Sequence, residues 1–127
     1  YGGEPDERLG GYFVKPTVLT GVDPSMRAVA EEIFGPVLAV MTFRDEDEAV
    51  DAANATEFGL NDYVFTGDPT TALRVARRLR SGTVAFNTVQ QSPEAPFGGF
   101  KQSGLGREGS RHGIDEYLEM KYLCLGI

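Results

Sequence analysis

At 127 residues with 41% apolar side chains, the chain has the length of one domain, or a piece of one, and enough apolar content for a modest core. Twelve basic against nineteen acidic residues leave a net charge of -7, a surface that repels phosphate backbones and removes nucleic acid from the expected partners. A single cysteine, Cys124, cannot close an internal disulfide, and a single histidine, His112, cannot by itself build a metal site, so a structural zinc is excluded.

The first eleven residues, YGGEPDERLGG, read as a flexible Gly-rich start. They lack the basic and apolar regions of a signal peptide, and no apolar run approaches the roughly 20 residues that span a bilayer. A soluble cytoplasmic protein with no membrane partner is the expectation, and the sequon Asn54-Ala55-Thr56 carries no weight without a secretory signal.

From Tyr12 to Val22 the chain is β-branched and aromatic, broken by Pro16, which predicts an edge or irregular strand. Asp23 and Pro24 are an N-cap and first helical position, opening a short helix through Met26 and Val29 that must stop near Gly35-Pro36. Val37 to Phe43 is a nearly continuous apolar run that suits a strand covered on both faces. Asp45 with Glu48 approximates a capping box, after which Ala49, Val50 and Ala53 recur at helical spacing up to Gly59.

Asp62 to Thr66 reads as a short strand, and Asp68-Pro69 starts a helix whose apolar stripe is Ala72, Leu73, Ala76 and Leu79, with Gly82 as a left-handed stop. Thr83 to Asn87 is the next strand. Strands and helices alternating in this way predict an α/β fold, a βαβαβ run built on a parallel sheet. Thr88 to Arg107 has no periodicity and many glycines, a loop of a length that is usually functional or disordered. In the tail, Leu118, Met120, Tyr122 and Cys124 alternate with Glu119, Lys121 and Leu123, which predicts a terminal strand. The expected divisions are a start over 1–11, a main segment over 12–110 and a return segment with final strand over 111–127.

Two stretches carry the chemistry. In AEEIFGPVLAV, residues 30–40, adjacent carboxylates, an aromatic and Gly-Pro precede a buried strand, so a rigid turn presents Glu31, Glu32 and Phe34. In APFGGFKQSGLGRE, residues 95–108, glycines after a stiff Pro96-Phe97 start let backbone approach another surface closely.

With these two motifs the chain, from about Gly11 onward, resembles the C-terminal part of the aldehyde dehydrogenase superfamily, which oxidises aldehydes with NAD or NADP. The resemblance implies that Glu32 accepts hydrogen bonds from the ribose hydroxyls beside the nicotinamide, with Phe34 packing near the ring. Hydride transfer needs that ring held in contact with the reacting carbon. It also implies that Phe97 and residues 89–94 line the aldehyde entrance, and that the tail is an oligomerisation strand joining a homo-oligomer, dimer or tetramer, by adding to a neighbouring subunit's sheet. The catalytic cysteine, which attacks the aldehyde, and the general-base glutamate belong to parts that precede Tyr1 in the family, so no catalytic residue is expected in this chain.

The run PFGGFKQSGLGREGSRHGIDEYLEMKYLCLG is most similar to the succinate-semialdehyde dehydrogenase group, where a serine in this loop, here Ser92, hydrogen-bonds the far carboxylate of the substrate. The segment from Asn87 to Pro96 is shorter than in that group, and the arginines that pair with such a carboxylate lie upstream. Three other features point elsewhere. Gly104 to Gly109 spells GxGxxG but follows a polar loop rather than a strand, and no acid stands about 20 residues on, so it reads as a decoy for the dinucleotide fingerprint. Cys124 has no neighbouring base and reads as structural. Arg74, Arg77, Arg78 and Arg80 read as the solvated face of a helix. Two rival readings are a stand-alone, non-catalytic oligomerisation or binding module that joins full-length subunits, and a small hydrolase or ligand-binding domain using Glu31 and His112, for which no nucleophile elbow is present.

Overall fold

The computed structural model describes residues 2–90 and 92–126. The architecture is α/β, with strands paired in parallel in two separate two-stranded ladders. Two compact units carry them, one running up to Ala52 and the other from Ala53 onward.

In the first unit, strand β1 (Thr17–Thr20) pairs with β2 (Val37–Val40), with Thr17 opposite Val37 and Thr20 opposite Val40. The side chains alternate as a pleated strand requires: Thr17, Leu19, Val37 and Ala39 are buried or half-buried, whereas Val18, Thr20, Leu38 and Val40 are exposed. The apolar run expected to be covered on both faces is therefore covered on one, and β2 ends at Val40 rather than Phe43.

Helix α1 is a single turn, Arg27–Ala30. Asp23 does not cap it directly; its Oδ1 accepts the Ser25 N–H at 2.8 Å in a preceding turn, and the helix starts four residues after Asp23. Residues 2–11 are not free. Asp6 N–H donates to the Phe13 carbonyl, Lys15 N–H to the Glu4 carbonyl, and the buried Thr17 hydroxyl accepts the Gly3 N–H at 2.7 Å. The glycines expected to loosen this start instead let it fold back beside residues 13–17, with Gly2, Gly3, Gly10 and Gly11 all at positive φ.

Helix α2 (Glu46–Asn54) starts as its sequence dictates. Asp45 Oδ1 accepts the Glu48 N–H at 2.9 Å, and Glu48 reaches back to the Arg44 N–H at 2.7 Å, a capping box displaced by one residue. Val50 on this helix is 3% exposed and, with Ala72 at 6%, is one of only two buried hydrophobic side chains among the described residues.

In the second unit β3 (Asn61–Val64) pairs with β4 (Thr83–Phe86), joined through α3 (Pro69–Ala76). The inward stripe of α3 is Ala72, Val75, Ala76 and the following Leu79, the i, i+3, i+4, i+7 set. Leu73, expected in that stripe, is 54% exposed because it lies about 100° round the helix from Ala72. Gly82 is not a left-handed stop either: a Cβ there would run into the Gly98 carbonyl, so the residue is glycine to let two backbones meet. The tail expected as a final strand has no ladder within the described chain; residues 118–126 follow a 3-10 turn (Asp115–Tyr117) and are exposed. A strand exists only with a neighbour to take its N–H and C=O groups, and none of the four strands offers one here.

Asp68 caps α3, its carboxylate accepting the Thr70 N–H at 3.0 Å and the Thr71 N–H at 3.1 Å. The Thr71 hydroxyl first, and then these two N–H groups, hold the Asp68 carboxyl below the usual carboxylate range. A value lowered by folding means that the cap's contribution is complete above the unfolded value of about 4 and is lost as pH falls through the folded one. Asp68→Ala should therefore lower Tm at neutral pH, with the difference from wild type shrinking under acid. A difference that stays constant down to acid pH would show that the carboxylate charge plays no part.

Candidate functional site

The turn after α1 separates the two glutamates chemically. Arg27 Nε and Nη2 donate to Glu31 Oε1 and Oε2 at 2.7 and 2.9 Å, a forked pair one helical turn apart. This guanidinium holds the Glu31 carboxyl below its ordinary range. Glu32 is exposed, and its carboxylate has no hydrogen-bond partner among the described residues. Both of its oxygens are open to a ligand with adjacent donors.

Phe34 follows in a left-handed conformation at φ 52, and its ring is 92% exposed. A large side chain at positive φ costs about 1–2 kcal/mol, and a bare aromatic ring forgoes burial as well. Gly35-Pro36 then leads into β2, with Val37 N–H donating to the Gly35 carbonyl at 2.7 Å and Thr17 N–H to the Pro36 carbonyl at 2.8 Å. The ladder thus anchors the base of a turn whose tip offers one free carboxylate and one ring. Sequence reasoning singled out these residues but missed the left-handed backbone at Phe34, because a phenylalanine carries no signal for positive φ.

In the second unit, Ser92 and Phe97 line one groove of about 370 Å³ along β4, together with Phe86, Thr88, Gln90 and Pro96. Ser92 Oγ donates to Glu94 Oε2 at 3.0 Å and accepts the Glu94 N–H at 3.3 Å, so the hydroxyl lies beside a carboxylate. Phe97 is half-buried and bridges to Glu108: each N–H donates to the other's carbonyl, at 2.9 and 2.8 Å. That bridge closes residues 97–108 into an ordered loop.

The loop is fastened from within by Arg107. Its Nη1 donates to the Gly99 and Gly106 carbonyls at 2.9 and 2.8 Å, and its guanidinium lies 5.2 Å from the centre of the Phe100 ring. Asn87, at the end of β4, sits at φ 50 and clamps Thr66 with both ends of its amide, accepting from the N–H at 3.0 Å and donating to the carbonyl at 2.9 Å. This clamp sets where the groove segment leaves the ladder, and Asn is among the few side-chain-bearing residues suited to left-handed backbone.

The remaining motifs behave otherwise. Gly104 to Gly109 follows a 3-10 turn (Lys101–Ser103) and opens no helix, so it lacks the strand-turn-helix setting that a dinucleotide fingerprint needs. His112 Nδ1 lies 3.5 Å from Asp115 Oδ2 at the surface, and Cys124 is exposed. Among the described residues no group of three or more His, Cys, Asp or Glu side chains could hold a metal ion, and no helix is long and apolar enough to cross a membrane.

The Aldehyde dehydrogenase family matches residues 1–123. The chain is 56% identical over 119 residues to the 3-sulfolactaldehyde dehydrogenase of Pseudomonas putida, covering 93% of this chain and 24% of that protein. It is 50% identical over 125 residues to the non-phosphorylating aspartate-semialdehyde dehydrogenase of Halomonas elongata, covering 98% and 25%. Among solved structures, an NAD-dependent aldehyde dehydrogenase from Sinorhizobium meliloti matches with a TM-score of 0.87 at 51% identity, over 92% of this chain and 24% of that one. The indole-3-acetaldehyde dehydrogenase of P. syringae, in complex with NAD+ and IAA, matches with a TM-score of 0.90 at 46% identity, over 95% and 25%. The chain spans about a quarter of the length of the curated relatives it matches.

Proposed function

Because this chain belongs to the aldehyde dehydrogenase family, we propose that it is the positioning part of an NAD(P)-dependent enzyme that oxidises an aldehyde to a carboxylic acid. Glu32 carries the reading. Its carboxylate is free while its neighbour Glu31 is neutralised by Arg27, so it can accept both hydroxyls of the nicotinamide ribose without a second bare charge repelling the dinucleotide. The exposed Phe34 ring offers a flat apolar surface beside it, so an acceptor and an apolar face together fit a ribose and its attached ring. The dinucleotide, when bound, supplies the hydride acceptor. The work of Glu32 and Phe34 is to hold its reactive end still, and NAD is the form named for solved relatives, with NADP as the other candidate.

The aldehyde is proposed to lie in the groove of Ser92 and Phe97. The names of two relatives, 3-sulfolactaldehyde and aspartate-semialdehyde dehydrogenase, indicate aldehydes with an anionic group, and succinate semialdehyde is the substrate of that class proposed here. Ser92 would donate to its carboxylate, which requires the hydroxyl to leave Glu94. In the complete enzyme, Ser92→Ala should raise KM for succinate semialdehyde several-fold and leave a neutral aldehyde unaffected, while Glu94→Gln should lower KM for the anionic substrate. Equal effects on both aldehydes would remove the assignment.

The nucleophilic cysteine and the general base are proposed to lie outside these 127 residues, so the isolated chain should be inactive. Aldehyde-dependent reduction of NAD by this chain alone would overturn that. The exposed tail, with Met120, Tyr122 and Leu125 bare, is proposed to add as a strand to a second subunit. Deleting residues 118–127 from the complete enzyme should then yield smaller species on a sizing column, and an unchanged elution volume would refute it.

A further inference from the structure

Helix α2 has Glu46, Asp47 and Glu48 in its first turn and no basic residue in its last, so its sequence complements only the positive end of its dipole. The carbonyls at its other end are met from 47 residues away. Lys101 Nζ donates to the Asn54 carbonyl at 3.1 Å and to the Thr56 carbonyl at 2.8 Å. Lys101 is half-buried and sits at φ 56, a left-handed backbone that disfavours any residue with a Cβ. A surface lysine gains nothing from such a conformation, whereas here it aims the ammonium at a helix end.

The surrounding bonds join the same two segments. Phe100 N–H donates to the Gly59 carbonyl at 2.8 Å, Gln102 N–H to the Glu57 carbonyl at 2.9 Å, and Gly59 N–H to Ser103 Oγ at 3.0 Å. Residues 100–103 are thereby laced to 57–59, with Lys101 supplying the only charge-assisted bonds of the set. Phe97, whose ring lines the groove along β4, belongs to the same closed loop through its bridge to Glu108.

We infer that Lys101 is a positioning residue: its ammonium latches the glycine-rich loop of residues 97–108 to the C-terminal end of α2 and thereby fixes the Phe97 wall of the groove. The effect on substrate rests on the proposed place of that groove in aldehyde binding; the latch itself does not. Lys101→Met keeps the stem and removes all three donors, whereas Lys101→Arg keeps a charged donor.

Hydrogen exchange and steady-state kinetics of the complete enzyme test the two parts separately. In Lys101→Met the amides of Phe97, Phe100, Gln102 and Glu108 should exchange about tenfold faster or more, while those of β1 and β2 stay as in wild type. KM for the aldehyde should rise about tenfold with kcat and the KM for NAD little changed, and Lys101→Arg should restore most of both. Lys101→Gln, which removes the charge and keeps a neutral donor on a shorter stem, should show the same pattern and serves if Lys101→Met does not fold.

Unchanged loop exchange in Lys101→Met or, should that variant not fold, in Lys101→Gln would overturn the latch, as would an Arg variant as loose as the Met variant. A loosened loop with an unmoved aldehyde KM would keep the latch and overturn the groove's role in substrate binding.

Discussion

Replacing Glu32 by Gln in the complete enzyme should lower kcat about a hundredfold while leaving the fold intact. The carboxylate is exposed and makes no hydrogen bond among the described residues, so its loss removes nothing that supports the turn. What it removes is a pair of charge-assisted acceptors for a vicinal diol; an amide can accept at its oxygen but presents N–H donors where the second oxygen stood. A nicotinamide no longer fixed by its ribose samples positions from which hydride transfer is slow, and a displacement of about 1 Å suffices for a loss of this size. Glu31→Gln is the matched control. Glu31 is occupied by Arg27, so its loss should weaken the end of α1 and leave kcat within a few-fold. Equal losses at both positions would mean that the turn matters only as a structural element.

The second large effect is on stability. Gly82→Ala should destabilise the second unit by about 3 kcal/mol, because the added Cβ meets the Gly98 carbonyl, a backbone atom that cannot swing aside. Gly82 N–H donates to the Gly59 carbonyl at 3.1 Å, and a Cβ at Gly59 or Gly98 would itself run into backbone, so three strands of chain meet where none has room for a side chain. Gly104→Ala provides the contrast. That residue lies at φ 111 with nothing within 4 Å of its Cβ, so only conformational strain of about 1–2 kcal/mol applies. Apparent Tm together with exchange of the Phe97 and Glu108 amides measures both, and a Gly82→Ala protein as stable as Gly104→Ala would show that the backbones can separate at little cost.

These two glycines also mark what the sequence makes legible. Asp45, Glu48 and Asp68 act on N–H groups within four residues of themselves, so residue order alone places their caps. Gly82 meets a carbonyl sixteen residues on and Lys101 a helix end 47 residues back, and no local pattern encodes either partner. Ala72, Ala76 and Leu79 of the helical stripe are legible in period and phase, while Leu73 and Val75 on its two flanks are equally apolar and only packing decides that Leu73 faces out. The terminal alternation reads as a strand, yet a strand's defining bonds go to a neighbour, and the tail has none among the described residues.

At the site, the residue types were readable and their conformations were not. Two adjacent glutamates look alike in a sequence, and the forked bond from Arg27 is what leaves Glu32 as the available one. Phe34 at positive φ and Asn87 clamping Thr66 are decisions of the backbone around them. Ser92 and Phe97 come to one groove through the turn between them, where Ala95 N–H donates to the Ser92 carbonyl at 3.0 Å, a bond no residue type announces.

Whether Glu32 holds the nicotinamide ribose is decided by a double cycle that pairs Glu32→Gln with an NAD analogue lacking one hydroxyl of that ribose. Wild-type complete enzyme should prefer NAD over the analogue by about tenfold or more in kcat/KM, and Glu32→Gln should use the two almost equally, because the lost carboxylate and the lost hydroxyl are halves of one bond. A preference undiminished in Glu32→Gln would move the ribose contact to another residue.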